Sequence, residues 1–110
     1  MQKEKDDLLQ GTLDMLILQV LSRGDNHGWA IAQRIAEVSR NALVVEEGSL
    51  YPALFRLERQ GWLESEWGQS DKQRRAKFYR LTKSGRTQLE KIAATWERKI
   101  SAVALVMQST

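Results

Sequence analysis

A chain of 110 residues with 42% hydrophobic content carries enough apolar surface for one modest core, which leaves a partner subunit as an expected source of further burial. Its 17 Lys and Arg against 14 Asp and Glu leave a net charge of +3, so an anionic partner has to be met by a local cluster of charge rather than by the overall field. The absence of cysteine excludes a disulfide frame and thiolate chemistry, no apolar run approaches the roughly 18 residues that span a bilayer, and the start MQKEKDDLLQ is charged where a signal peptide is apolar; a soluble cytoplasmic protein is expected.

The first predicted helix runs from Leu9 to Ser22, with Leu9, Leu13, Leu16, Ile17, Val20 and Leu21 on one face. A smaller strip of Leu8, Met15 and Leu18 falls toward the other side, where a lone surface helix is polar, and predicts a second cover. RGDNHG breaks the chain, and GWAIAQRIAEVSR resumes the helical period with Ile31, Ile35 and Val38 inward and Gln33, Arg34, Glu37 and Arg40 outward. Leu43 to Val45 reads as a short extended piece that needs a sheet to join.

A third helix is predicted from about Gly48 to Gln60, with Gly61 at the left-handed C-terminal position. Leu50, Ala53, Leu54 and Leu57 form its buried side. Pro52 interrupts that stripe, and it is placed in the first turn, where the backbone N–H groups have no intrahelical partner and a fixed φ suits the helix. WLESEW alternates as a strand, GQSDKQRRA is a polar loop and KFYRL returns, giving a hairpin with a basic tip. Thr82 is a good N-cap for a last helix reaching about Met107, whose seam of Leu89, Ile92, Trp96, Ile100, Val103 and Met107 is sustained over about 37 Å, more than this chain can cover by itself.

This order of elements is that of a mainly α winged helix-turn-helix with a small β-hairpin wing (residues 1–81), followed by a long C-terminal dimerisation helix (residues 82–110). In such an arrangement the helix before the hairpin faces the DNA major groove and the hairpin tip reaches the backbone or minor groove. Ser49, Tyr51, Pro52, Phe55, Arg56 and Arg59 lie on or near the outward side of the third helix, and Lys72, Arg74, Arg75 and Lys77 put four positive charges into six residues of the wing. Arg56 and Arg59 also fit ordinary solvated charges, and the Tyr51 ring also fits packing under the helix start. Gln33, Arg34 and Arg40 of the second helix are placed to touch phosphate, although its main role is to support the third. A single histidine, His27, has no cysteine or second histidine with which to hold zinc, so it is assigned to the turn into the second helix, and no metal or cofactor is expected. With no phosphate-cradling glycine loop and no acid–base pair, no catalytic constellation is present and no enzyme is expected. A winged-helix protein-interaction module without DNA binding is the competing class, and the basic rather than apolar wing speaks against it.

HGWAIAQRI, EGSLYPALFRLERQGWL and RRAKFYRLTKSGR resemble the three signature segments of the PadR family of transcriptional regulators, in order and spacing over roughly residues 8–87. The length resembles the short subfamily, and LLQGTLDMLIL and SEWG resemble a branch of short members predicted as repressors. The resemblance implies a homodimeric repressor bound to double-stranded DNA, in which the segment Ser49, Leu50, Tyr51 and Pro52 opens the recognition helix. It also implies that the last helix pairs across a two-fold axis with the first helix of the other subunit, which accounts for the strip of Leu8, Met15 and Leu18. Some short members bind planar aromatic compounds between subunits, and Trp96 falls in the matching region, as an effector contact or as a plain dimer-core tryptophan. Phe55 departs from the polar or basic residue common at its position, which points to a thymine-methyl contact or to packing on the wing. Glu64 and Glu66 make the first wing strand acidic and are expected to point away from phosphate.

Overall fold

The computed structural model describes residues 2–109, with side chains described over residues 12–109. Helix α1 (Gln2–Leu21) is the central element and contacts two further helices, α2 (Gly28–Val38) and α3 (Glu47–Arg59), as well as the long helix α4 (Lys83–Ser109). This surrounded position explains why its apolar residues are not confined to one stripe. Leu13, Ile17 and Leu18 are all fully buried inside the protomer. Leu18 therefore does not belong to a strip awaiting a partner, as its spacing suggests, and Met15 is half-buried against the same core. Leu8 lies outside the described side chains.

The chain leaves α1 through Gly24, at φ 146°, and enters a two-residue strand, β1 (Asn26–His27). This strand pairs with β3 (Arg75–Leu81), which also pairs with β2 (Leu63–Gln69), in an antiparallel sheet of order β1-β3-β2. The extended piece predicted over Leu43 to Val45 does not join that sheet. Instead the Leu43 N–H donates to Ser39 Oγ at 3.0 Å, at the end of α2, and Val45 is buried as an anchor. Val38, expected inward, is 65% exposed because α2 ends there and the chain turns away through Arg40 and Asn41, both at positive φ.

His27 caps α2: the Ala30 N–H donates to its Nδ1 at 3.4 Å. Helix α3 starts at Glu47, earlier than expected, which moves Pro52 from the first turn to the sixth helical residue. Leu50 N–H already closes the first helical bond onto the Glu46 carbonyl at 2.9 Å, so Pro52 removes a real donor, the one that Gly48 O would have received. Both residues are exposed, so water can serve that carbonyl and the ring meets no core. Gly61 ends the helix at φ 82°, as its position predicts.

Thr82 caps α4, accepting the Gly85 N–H at 3.0 Å and donating to the Gly61 carbonyl at 2.7 Å, while Ser84 Oγ donates to the same carbonyl at 3.0 Å. The start of the terminal helix is thus fastened to the turn that closes α3. Leu89 is buried in the protomer's own core and Ile92 packs against it, so the first part of the predicted seam is already covered, a correction to its assignment to a partner. Farther along the helix, Trp96, Ile100, Val103 and Met107 are exposed. Among the described residues no helix is long and apolar enough to cross a membrane, and no cluster of His, Cys, Asp and Glu could hold a metal.

Candidate nucleic-acid interface

Burial of Leu50, Ala53, Leu54 and Leu57 fixes the roll of α3 and hence what it presents to solvent. At 100° per residue the opposite side carries Gly48, Pro52, Phe55 and Arg59, all exposed, and the Arg59 guanidinium lies over the Phe55 ring at 5.8 Å. Phe55 therefore has a cation from its own helix on one face and stays largely open to solvent. Ser49 and Arg56 occupy one flank, Tyr51 and Glu58 the other. Arg56 is not free: its Nη2 donates to Asp14 Oδ1 on α1 at 2.7 Å.

The hairpin is longer than its sequence suggests, with the ladder running out to Gln69 opposite Arg75 and the loop reduced to residues 70–74. Gln73 takes the positive-φ position, and the Ser70 N–H donates to the Arg74 carbonyl at 2.8 Å. Strand alternation places Leu63, Leu81 and Tyr79 on the face toward the core and continues the same face outward with Trp67, Lys77 and Arg75. Glu64 and Glu66 stand on the opposite face, away from those cations. Glu64 neutralises Arg80, which also reaches Asp25 at 3.7 Å; the Glu64 hydrogen bond and charge raise the Arg80 pKa further.

The four wing cations differ in their surroundings. Lys77 reaches Glu58 of α3 at 3.5 Å, and Glu58 also accepts from Ser65 Oγ at 2.6 Å, which holds the wing to the helix. The Arg75 guanidinium stacks on Trp67 at 4.6 Å. Among the described residues no carboxylate pairs with Lys72, Arg74 or Arg75.

Between the wing and the start of α2 lies a cleft of about 890 Å³. It exists because β1 pairs only with Phe78 and Tyr79 before the chain turns off at Gly28, leaving the outer part of β3 without a neighbour on that edge. Tyr51 lines it together with Trp29, Trp67, Lys72, Arg74 and Arg75. Tyr51 packs so closely on Gly28 that a Cβ there would stand 2.9 Å from its Cε1. Partial burial, helped by the charge of Glu47, raises the Tyr51 pKa above the ordinary 10.0, so its hydroxyl stays a neutral donor and acceptor. Trp29, Trp67 and Asp14 were not singled out by the sequence. An aromatic residue next to the glycine that opens α2 is the available signal for Trp29; no local pattern links Asp14 to Arg56, 42 positions away.

The model of the Transcriptional regulator PadR-like family matches residues 17–91, which takes in the end of α1, helices α2 and α3, the whole wing and the beginning of α4. The chain belongs to this family. A PadR family transcriptional regulator from Eggerthella lenta is 31% identical and superposes with a TM-score of 0.81, covering 99% of this chain and 93% of its own. A transcriptional regulator from Clostridium thermocellum is also 31% identical, with a TM-score of 0.80 and 88% and 94% of the two chains covered. A PadR-like transcriptional regulator from Bacillus cereus is 26% identical, with a TM-score of 0.79 and 93% and 97% covered. Membership in the PadR-like family implies DNA-binding transcriptional regulation, and the winged helix-turn-helix with its long terminal helix is that of its solved members.

Proposed function

We propose that this PadR-like protein is a sequence-specific repressor that binds a pseudo-palindromic operator as a homodimer in the cytoplasm. The observation that carries the reading is that Tyr51 belongs both to the flank of α3 and to the cleft walled by Lys72, Arg74 and Arg75, so the helix face and the wing charges form one continuous surface. Phe55 and Arg59, with Ser49, Tyr51 and Pro52 at the helix start, meet base edges in the major groove, while the wing cations hold phosphates. Arg56 contributes only when it exchanges Asp14 for DNA. Two copies place their α3 helices in successive major grooves, with half-sites about 34 Å apart.

The dimer is supported by the exposed seam of Trp96, Ile100, Val103 and Met107 on α4, which at 27 residues extends about 40 Å. In this division of labour residues 1–81 bind DNA and residues 82–110 dimerise, with half-buried Met15 meeting the partner's α4 at the edge of the core. Trp96, 37% exposed, is the contact for a planar aromatic effector held between subunits, whose binding releases the operator.

The test is the salt dependence of binding. Replacing Lys72, Arg74, Arg75 and Lys77 by Ala is expected to weaken binding to all duplexes and to reduce the slope of log K against log salt by about 0.9 for each phosphate that is no longer neutralised. An unchanged slope removes the wing from the DNA.

A further inference from the structure

The cleft has two unlike walls. On the α2 side Trp29, in the first turn of a helix that buries Ile31, Ala32 and Ile35, is 46% exposed. On the wing side the Arg75 guanidinium lies over Trp67 at 4.6 Å, and Arg74 and Lys72 stand beside it without a carboxylate partner among the described residues. Asp71 is the one acid among the lining residues. An exposed indole, set among the polar Asn26, His27 and Gln33 and opposite a cationic wall, matches a strand that alternates deoxyribose and phosphate. Exposed wing residues form the outer rim, so the cleft is shaped for a chain that runs on beyond it rather than for a ligand that must be enclosed.

We infer that this cleft seats one sugar–phosphate strand of the DNA flanking the groove entered by α3, with Arg75 on a phosphate and Trp29 against the adjoining deoxyribose. The inference rests on the DNA-binding reading above and adds α2 to the interface as the wall facing the wing. Stacking on Trp67 fixes the Arg75 guanidinium before DNA arrives, so the side chain gives up little freedom when it meets the phosphate. The Trp29 contact is uncharged and indifferent to base identity, so it adds affinity without adding sequence preference.

The experiment measures binding of labelled duplexes, one selected from a random pool and one unrelated, to the full-length protein and to Trp29→Ala, Trp29→Phe and Arg75→Ala over a range of salt. Single methylphosphonate substitutions are then placed along the selected duplex. Trp29→Ala is expected to weaken both duplexes by the same several-fold factor with the salt slope unchanged, and Trp29→Phe to restore most of the affinity. Arg75→Ala is expected to lower the slope by about 0.9 and to become insensitive to one methylphosphonate position per half-site that weakens the wild-type protein. If both alanine variants bind as wild type while the wild type still prefers the selected duplex, the cleft is not on the DNA and the inference fails with the DNA-binding reading intact. If the wild type binds no duplex, both fail. Saturable binding of free deoxyadenosine monophosphate, abolished by Trp29→Ala in the absence of DNA, reassigns the cleft to a soluble nucleotide and overturns the inference.

Discussion

Arg56 on α3 and Asp14 on α1 form an ion pair at 2.7 Å that bridges the helix offered to DNA and the central helix of the core. Both side chains retain solvent contact, so the pair contributes modestly, but it decides which of the two arginines of α3 is free. A double-mutant cycle of Asp14→Asn and Arg56→Ala is expected to give a coupling of about 0.2–1 kcal/mol in denaturant unfolding. In DNA binding, Arg59→Ala is expected to reduce the ratio of operator to random affinity more than Arg56→Ala does. The opposite order would place Arg56 on the bases.

The start of α4 leaves no room for a side chain at Gly85, where a Cβ would run into the carbonyl oxygen of Trp62 and stand 2.9 Å from Leu81 Cδ1. Backbone cannot yield there as a side-chain end could. Gly85→Ala is expected to lower stability by about 1–3 kcal/mol. Thr82→Ala, which removes the cap and its bond to Gly61, is expected to cost about 1 kcal/mol. Thermal unfolding checks both, with a shift of roughly 4–8 °C for each kcal/mol; an unshifted Gly85→Ala would contradict the described packing.

Much of this architecture is legible in the sequence because the local signals agree: glycine after α3, threonine before α4 and alternation in the wing each announce a boundary. What escapes depends on packing between distant segments. Leu18 and Leu89 look like interface residues because helical spacing cannot tell a neighbour in the same chain from one in another; α1, surrounded by other elements, buries both sides of its apolar surface. Pro52 looks like a first-turn residue because the start of α3 carries no side-chain cap to mark it. Arg56 carries no sign of its partner, and the cleft beside Trp29 arises from where β1 stops pairing, which only the sheet register reveals.

Tyr51 and Tyr79 both have pKa values raised above 10.0, each chiefly by burial and then by a nearby glutamate, Glu47 for Tyr51 and Glu58 for Tyr79. A folded-state value above the unfolded one means stability that is fully present below pH 10 and declines as pH rises through the folded value. Unfolding free energy is therefore expected to show no tyrosine contribution to its pH dependence between pH 7 and 9 and to fall above about pH 10. Tyr79→Phe should flatten part of that fall. A stability that rises on passing pH 10 would contradict the partial burial of Tyr51 and the burial of Tyr79.

The outer part of α4 supplies the test of assembly. Ile100→Glu and Val103→Glu replace residues that are 49% and 57% exposed in the protomer, so neither should disturb its core. Sedimentation is expected to give a dimer for the wild type and a monomer for the double variant, with helical content retained. A wild-type monomer at micromolar concentration would remove the dimer, and with it the two-half-site operator.

The most direct measurement is selection of bound sequences from a random duplex pool by the full-length protein, followed by the same selection with Arg59→Ala. Enrichment of two inverted half-sites with centres about one helical turn apart, blurred at specific positions by Arg59→Ala, is the predicted result. A bound pool indistinguishable from the input would contradict sequence-specific recognition by α3.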